Sequence, residues 1–295
     1  MTKIGIINVD HSPSGLHQFL QRILSQLSSY EVVGIEWNDH EGKVHTKDLH
    51  EYASSYPVLQ TVSSNVLERL IGDLHFISRI IVIGGINVFK ELKKVNNQIE
   101  FLFVPASIHN NITWTELSLG YDTALNSIIE STLKIKDTIE SLKYSIPRLF
   151  GVQIPGEAPS KMLKDLSIAV DGFYLESQFD KSQSNQNQFN RDNSCSLQQS
   201  LKNNFSNGLT YSFLLFDERI YAANIPECSL PELDVDWKVI QIDEALCMGQ
   251  NPSALDRIIA KTFANQAVEW IHSHAKSEVL YIDRREVKRK SYSRV

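Results

Sequence analysis

Cysteine, positive charge and long apolar segments are all scarce in this sequence. Its three cysteines, Cys195, Cys228 and Cys247, are scattered along the chain, so they form neither a metal-ligand motif nor a disulfide framework. The formal net charge of −6 gives no electrostatic support for a nucleic-acid partner. No apolar run reaches membrane-spanning length, and the N-terminal MTKIGIINVD is too polar for a signal peptide. We therefore expect a cytoplasmic protein with free thiols that binds neither nucleic acid nor membrane.

The rest of the composition is that of an ordinary globular chain. The 295 residues are 42% hydrophobic and 22% charged, which allows one large domain or two lobes with a substantial core. Apolar runs such as residues 3–8 and 79–83 alternate with segments of helical apolar spacing, such as residues 123–142 and 252–271. This alternation favours a doubly wound α/β sheet over an α+β fold.

Two segments depart from this alternation. Residues 179–195 are rich in Ser, Asn and Gln, so we predict a flexible polar loop there, followed by a short helix that contains Leu197 and Leu201. Residues 284–294 are basic and are most simply a solvated terminus. An anionic partner for this tail is the less favoured alternative.

The stretch from Phe101 to Thr138 joins a short apolar strand to a long helix through a polar loop. Enzymes of the α/β class place their chemistry in such units, at the carboxyl end of the strand. In the phosphofructokinase family the corresponding motif is P-x-T-I-D-N-D-I, followed by a polar connection and G-F-x-T-A-x. The sequence PASIHNNI from Pro105, with GYDTAL from Gly120, resembles this motif without a gap.

Further segments resemble the same family in the same order. They are KIGII at residues 3–7, IVIGG at 81–85, and residues 151–156, 252–257 and 279–287. The resemblance implies a two-lobed phosphofructokinase-like fold with doubly wound, mainly parallel sheets. It implies that the first lobe holds ATP and magnesium, and that fructose 6-phosphate lies between lobes and between subunits of a tetramer.

The resemblance also divides the chain. Residues 1–138 and about 253–275 correspond to a nucleotide-lobe-like region. Residues 139–252 and 276–295 correspond to a substrate-lobe-like region, which contains the polar loop.

On the nucleotide side, the resemblance assigns ATP-site positions to Asp10, Gly15, Gly84 and Gly85. The family cradle G-G-D-x-P-G stands here as VDHSPSG, in which only the last glycine is kept. Asp10 adds a Cβ and a negative charge beside the expected polyphosphate. Alternatively, Asp10 and Ser12 are turn and helix-capping residues, which is the interpretation we favour.

The magnesium position of the family is changed as well. Its G-G-D-G-S stands here as GGINV. Ile86 cannot ligate a hard cation, which takes oxygen ligands, and Val88 offers no hydroxyl. We therefore expect the two glycines to form a structural turn, with no metal site and no bound cofactor.

The two aspartates of the P-x-T-I-D-N-D-I motif are replaced by His109 and Asn111. His109 occupies the position of the catalytic base, and histidine can act as a general base near neutral pH. Without magnesium and a phosphate cradle, however, it has no positioned phosphoryl group on which to act.

Family sugar-phosphate positions fall on Ser107, Gln153, Glu218, Met248 and Arg257. Gln153 and Met248 stand where the family has arginines, and a third arginine position falls at Lys143 or Tyr144. Arg257 is retained, although it can instead pair with Asp256 at a helix start. We expect any residual sugar-phosphate binding to be weak.

Two functional hypotheses follow. In the first, the chain is a catalytically degenerate phosphofructokinase homologue that acts as a structural or regulatory subunit or binds an altered ligand. In the second, it is an active 6-phosphofructokinase with an unusual site that uses His109, and only then does it bind Mg-ATP. The second needs a substitute metal carboxylate, for which only Asp10 and Asp122 are near, and Asp122 fits the first turn of the following helix better. We favour the first hypothesis and expect a homo-oligomer, or a hetero-oligomer with an active phosphofructokinase.

Overall fold

The structure is a computed structural model that describes residues 3–52, 59–74, 76–94, 99–140, 145–176, 191–226, 230–248, 251–273 and 276–294. The chain forms two compact units, Met1–Thr123 with Met248–Val295 and Ala124–Cys247. Among the described residues, no helix combines the length and the apolar character that crossing a bilayer requires.

In chain order the elements are β1 (Lys3–Val9), α1 (Leu16–Gln26), β2 (Glu31–Asn38), β3 (Lys43–Asp48), β4 (Thr61–Val62), α2 (Leu67–Gly72), β5 (Arg79–Gly84), α3 (Ile86–Leu92), β6 (Glu100–Pro105), α4 (Tyr121–Glu140), β7 (Arg148–Ile154), α5 (Ser160–Ala169), β8 (Phe173–Tyr174), α6 (Arg191–Ser206), β9 (Tyr211–Asp217), β10 (Asp236–Gln241), α7 (Glu244–Cys247), α8 (Ala254–Ser273), β11 (Glu278–Asp283) and β12 (Glu286–Ser291). Short 3₁₀ turns lie at His50–Tyr52, Ser64–Val66, Ala222–Asn224 and Tyr292–Arg294.

The larger unit is built around a mainly parallel sheet with the strand order β12-β11-β6-β5-β1-β2-β3, and β4 pairs with β1. Its central strands are buried along nearly their whole length because helices cover both faces. The apolar faces of α1 and α8 contribute Phe19, Phe263 and Trp270 to the core on one side. Leu67 from α2 and Phe89 from α3 belong to the core on the other side.

The smaller unit contains a parallel sheet with the order β10-β7-β9-β8. Gly151 in β7 lets the neighbouring strand approach, because a Cβ there would lie 2.4 Å from the Trp237 ring. Leu197 and Leu201 on α6 pack with Phe216 in the core of this unit. The α/β class and the mainly parallel sheets are therefore confirmed, as is the helix predicted at Leu197 and Leu201.

The C-terminal segment corrects two predictions. Residues 284–294 are not a solvated tail, since β12 pairs antiparallel with β11 across its full length. Val287 packs against the core, and Arg289 pairs with Glu278 at 3.4 Å. Residues 276–295 do not accompany the substrate-lobe-like region, because β11 pairs parallel with β6 in the larger sheet. The nucleotide and substrate roles of the two regions stay predictions.

The predicted polar loop at residues 179–195 falls largely outside the described residues. Its last residues, 191–195, belong to the first turns of α6, so the loop prediction is wrong for that part. An alternation of Leu with Ser, Asn and Gln is compatible with an amphipathic helix as well as with a loop, and the packing of Leu197 and Leu201 decides between them.

Candidate functional site

The carboxyl edge of the larger sheet brings together the three loops that sequence analysis predicted. Strands β1, β5 and β6 are adjacent and parallel, with Asn8 opposite Ile83 and Gly84 opposite Pro105. Their loops therefore leave the sheet at the same level. The loop after β1 carries Asp10 and Gly15, the loop after β5 carries Gly85, and the loop after β6 carries Ser107, His109 and Asn111.

Asp10 lies in the left-handed region with φ 63°, a conformation that glycine adopts most easily and aspartate tolerates. Its Oδ1 accepts a hydrogen bond from Ser64 N at 2.8 Å, and its own N–H donates to Val62 O at 2.8 Å. The Asp10 carboxylate thus accepts the first N–H of the 3₁₀ turn Ser64–Val66, and the N-cap residue Ser63 accepts Asn65 N. Helix α1, in contrast, has Gly15 with φ 98° at its N-cap position and no side-chain cap, so Ser12 does not cap it.

Gly84 is the last residue of β5, and α3 begins two residues later at Ile86. A Cβ on Gly84 would lie 2.7 Å from Val88 Cγ2, so the valine side chain packs directly over this glycine. Val88 itself is fully buried. In the same turn, Ile86 is half-buried and Asn87 is exposed. The position that the resemblance assigns to the metal ligand therefore carries the alkyl side chain of Ile86, and the side chain of Val88 covers the Gly84 backbone.

The loop after β6 is held by hydrogen bonds of its own polar groups. Ser107 Oγ donates to Asn111 Oδ1 at 3.0 Å and accepts from the backbone N–H of His109 at 3.2 Å. Asn110, with φ 50°, donates from Nδ2 to Glu116 O at 2.8 Å. Two of the three sequence-predicted residues in this loop, Ser107 and Asn111, therefore bond directly to each other.

A buried carboxylate that sequence analysis did not propose as a site residue supports this edge. Asp256 has no solvent exposure and accepts hydrogen bonds from Gly120 N at 2.9 Å, Thr123 N at 2.7 Å and Thr123 Oγ1 at 2.6 Å. A residue of α8 thus caps the N-terminus of α4. Asp256 N in turn donates to Ser253 Oγ at 3.1 Å. The S-x-x-D spacing of a capping box was the available sequence signal, but it does not reveal the distant partner.

The chemistry of Asp256 differs from that of a surface carboxylate. Burial raises its pKa above the ordinary value, and the negative charge of Asp122 adds to this effect. The hydrogen bonds from Thr123 and Gly120 act in the opposite direction by stabilising the charged form. Asp256 therefore holds the loop Leu119–Gly120 from behind and is not accessible to a ligand.

The carboxyl edge of the smaller sheet forms a cleft of about 520 Å³. Its lining residues are Gln153, Glu218, Gln241, Ile242, Asp243 and Glu244. The two amides bond to each other, Gln241 Nε2 to Gln153 Oε1 at 3.1 Å, and Glu218 Oε2 accepts from Gly156 N at 2.8 Å. The lining thus presents amides and three carboxylates.

The other predicted sugar-phosphate residues, Ser107, Met248 and Arg257, belong to the larger unit. Arg257 is exposed, and its Nε donates to Pro252 O at 3.0 Å. The alternative that it pairs with Asp256 is wrong, because the Asp256 carboxylate is directed to Gly120 and Thr123. Lys143 and Tyr144 lie outside the described residues.

Within the described part of the chain, no group of three or more His, Cys, Asp or Glu side chains has the arrangement of a metal site.

The sequence of this chain is similar to those of known phosphofructokinases. The family model for phosphofructokinase matches residues 60–271. Among curated relatives, the ATP-dependent 6-phosphofructokinase of Oceanobacillus iheyensis is 24% identical over 203 residues, which are 66% of this chain and 57% of the relative. That of Natranaerobius thermophilus is 40% identical over 81 residues, 27% of this chain and 24% of the relative. The chain spans less than two thirds of the length of these relatives.

Solved structures agree on the fold. Phosphofructokinase from Pichia pastoris in the T-state superposes with a TM-score of 0.79 at 14% identity, covering 99% of this chain and 37% of that one. Pyrophosphate-dependent phosphofructokinase from Marinobacter aquaeolei gives 0.74 at 14% identity, covering 100% of this chain and 84% of that one. Because the phosphofructokinase family model matches residues 60–271, more than half of the sequence, the chain belongs to the phosphofructokinase family.

Proposed function

We propose that this chain is a catalytically degenerate member of the phosphofructokinase family that acts as a structural or regulatory subunit or binds an altered ligand. The observation that carries the proposal is that, in the loop which the resemblance assigns to phosphate binding, the Asp10 side chain is hydrogen-bonded to another part of the protein. Asp10 stands where the family has a glycine, and its carboxylate already accepts Ser64 N. The negative charge at this position repels a polyphosphate.

The residues at the magnesium and nucleotide positions do not fit Mg-ATP. Magnesium takes oxygen ligands, whereas Ile86 presents an alkyl chain at the family's ligand position. Val88 packs over Gly84, where a phosphate would need open backbone. We therefore assign no step of phosphoryl transfer to His109 or Asn111, which lack a metal and a cradle to act with.

The cleft of the smaller unit supports the same proposal from the substrate side. A sugar phosphate needs cationic or backbone N–H partners. Of the described lining residues, Glu218 resembles the family's sugar-contacting glutamate, but Asp243 and Glu244 are acidic as well, and Gln153 stands where the family has an arginine. Fructose 6-phosphate would meet like charge there. An uncharged or cationic polar ligand is compatible with this lining.

The second candidate is an active 6-phosphofructokinase with an unusual site. The curated relatives bear the name ATP-dependent 6-phosphofructokinase, and His109 lies in the loop after β6, at the edge where α/β enzymes place their chemistry. This candidate requires His109 as general base and a metal carboxylate from a residue such as Asp10.

Activity and ligand-binding measurements separate the two candidates. We expect no phosphorylation of fructose 6-phosphate above background with ATP or pyrophosphate, and no upward thermal shift at millimolar Mg-ATP. A wild-type bacterial phosphofructokinase assayed in parallel is the positive control. A magnesium-dependent rate that disappears in His109→Ala would overturn the degenerate assignment and establish the second candidate.

For the subunit role we propose a homo-oligomer or a hetero-oligomer with an active phosphofructokinase. This role is supported because the chain keeps the family fold, whereas the residues at the nucleotide and sugar-phosphate positions differ from those of the family. Light scattering of the purified chain, alone and mixed with an active paralogue from the same cell, measures it. A monomer that does not change on mixing would contradict the subunit role and leave the altered-ligand role.

A further inference from the structure

Two consecutive residues that follow the His109 loop, Thr115 and Glu116, bond to the C-terminal hairpin of β11 and β12, and Thr115 Oγ1 accepts a hydrogen bond from Ile282 N at 2.9 Å. The Glu116 carboxylate accepts hydrogen bonds from the backbone N–H groups of Arg284 at 3.0 Å and Arg285 at 3.3 Å, the two residues of the hairpin turn. Glu116 N also donates to Ile282 O at 3.0 Å. Backbone and side chain of Glu116 therefore both bond to the hairpin.

From Glu116 the hydrogen bonds continue into the candidate site. Asn110 Nδ2 donates to Glu116 O at 2.8 Å. Ser118 Oγ lies 3.1 Å from Asn110 Oδ1 and 2.8 Å from Ser107 O, and shares its proton between them. Ser107 then accepts the backbone N–H of His109. An unbroken series of hydrogen bonds thus connects the hairpin turn to the residue at the family's catalytic position.

Most of the described non-glycine residues with a left-handed backbone belong to this series of hydrogen bonds. Five non-glycine residues among those described have positive φ, and three of them, Asn110, Arg284 and Arg285, belong to this network. Two-residue hairpin turns with both residues left-handed favour Asn-Gly, and an arginine at either position is strained relative to a right-handed conformation. Such strain persists only where surrounding bonds determine the conformation, and the Glu116 carboxylate supplies those bonds.

We propose that Glu116 is a positioning residue through which the conformation of the hairpin turn at Arg284–Arg285 fixes the loop Ser107–Asn111. A change at the exposed turn is transmitted through Glu116 and Asn110 to the backbone of His109. The coupling lies entirely within the larger unit. It goes beyond the proposed function and holds whether or not the chain transfers phosphoryl groups.

Hydrogen–deuterium exchange of the intact chain tests this coupling. In Glu116→Ala the two N–H groups of the turn lose their acceptor, and we expect exchange to rise about tenfold in peptides covering both 280–291 and 105–112. Exchange in β1 and β5 should not change. Glu116→Gln keeps an acceptor oxygen and should give the same pattern with a smaller increase. A general destabilisation would instead raise exchange throughout the sheet.

The matched control removes the strain of the turn, both in the wild type and in the Glu116→Ala background. Arg284→Asn with Arg285→Gly gives the turn its preferred residues, and in the Glu116→Ala background it should restore protection of the hairpin and, through Ile282, of the loop. Should Glu116→Ala fail to fold, Glu116→Gln with and without the turn substitutions makes the same comparison. Increased exchange in the hairpin with an unchanged loop, or a uniform increase across β1 and β5, would overturn the proposal.

Discussion

The carboxyl edges of the two sheets have departed from the phosphofructokinase pattern in different ways. At the larger sheet, positions that the resemblance assigns to a nucleotide site carry groups that contact the protein itself: the Asp10 carboxylate accepts Ser64 N, and the Val88 side chain lies over Gly84. At the smaller sheet the space remains, as a cleft of about 520 Å³, but acidic side chains line it. Under the proposed function, one edge is closed by packing, whereas the other is open with an altered charge.

The difference shows which residues the fold itself requires. Behind the larger edge, Asp256 satisfies the first N–H groups of α4, and behind the smaller edge the buried Asp217 binds the Arg219 guanidinium. The loops at both edges are therefore supported by contacts within the protein itself.

The largest expected effect concerns the support behind the larger edge. Asp256→Ala leaves Gly120 N, Thr123 N and Thr123 Oγ1 without an acceptor in a buried site, so we expect a loss of about 3 kcal/mol in the free energy of unfolding. Asp256→Asn keeps an acceptor oxygen and should lose about 1 kcal/mol. Urea unfolding measures both. Equal stability of the alanine variant and the wild type would show that the network does not hold the edge.

The pH dependence of the stability difference between the wild type and Asp256→Asn follows from the direction in which the pKa of Asp256 is shifted. Burial raises the folded-state pKa of Asp256 above the ordinary 3.8, so the folded state binds this proton more tightly than the unfolded state. The contribution of Asp256 to stability is therefore fully present below pH 3.8 and is lost as the pH rises through the folded pKa. The stability of the wild type minus that of Asp256→Asn should fall over this range, because the other carboxylates cancel in the difference. A difference that increases with pH would contradict this sign.

An intermediate effect is expected where Val88 closes the larger edge. Gly84→Ala places a Cβ 2.7 Å from Val88 Cγ2 and should cost about 2 kcal/mol. Gly85→Ala is the matched control, since its Cβ would meet only Ala106 O at 3.6 Å, and we expect a change within about 0.5 kcal/mol. Thermal and urea unfolding of the two variants measure the contrast. Equal tolerance of both would mean that Val88 does not fill the site.

Sequence patterns predicted the buried part of this fold better than its edges. RIIVIG and the apolar face of α8 have a periodicity that only burial explains, and the structure has β5 and α8 there. The sequence of β12 predicts a solvated tail because most of its residues are charged, and Val287 is its only apolar residue, which packs against the core. The bonds from Asp256 to Thr123 span 133 residues, and those from Glu116 to Arg284 span 168. No local pattern can reveal such partners, so the supporting residues of the site were the part that sequence could not supply.

The smallest expected effect isolates the charge at the larger edge. Asp10 has a left-handed φ of 63° and accepts Ser64 N. Asp10→Ala loses the hydrogen bond, and alanine tolerates the left-handed conformation less well than aspartate, so we expect a loss of about 1.5 kcal/mol. Asp10→Gly loses the same bond but relieves the strain, and should remain within about 1 kcal/mol of the wild type.

The glycine variant also restores the family residue, which makes it the sharpest test of how the larger edge is closed. If the charge of Asp10 alone excludes a polyphosphate, Asp10→Gly will show a thermal shift at millimolar Mg-ATP that the wild type lacks. We expect no shift, because Ile86 and the Val88 side chain over Gly84 remain in place. A clear shift in Asp10→Gly would mean that this edge, like the acidic cleft of the smaller unit, is altered by charge rather than filled by packing.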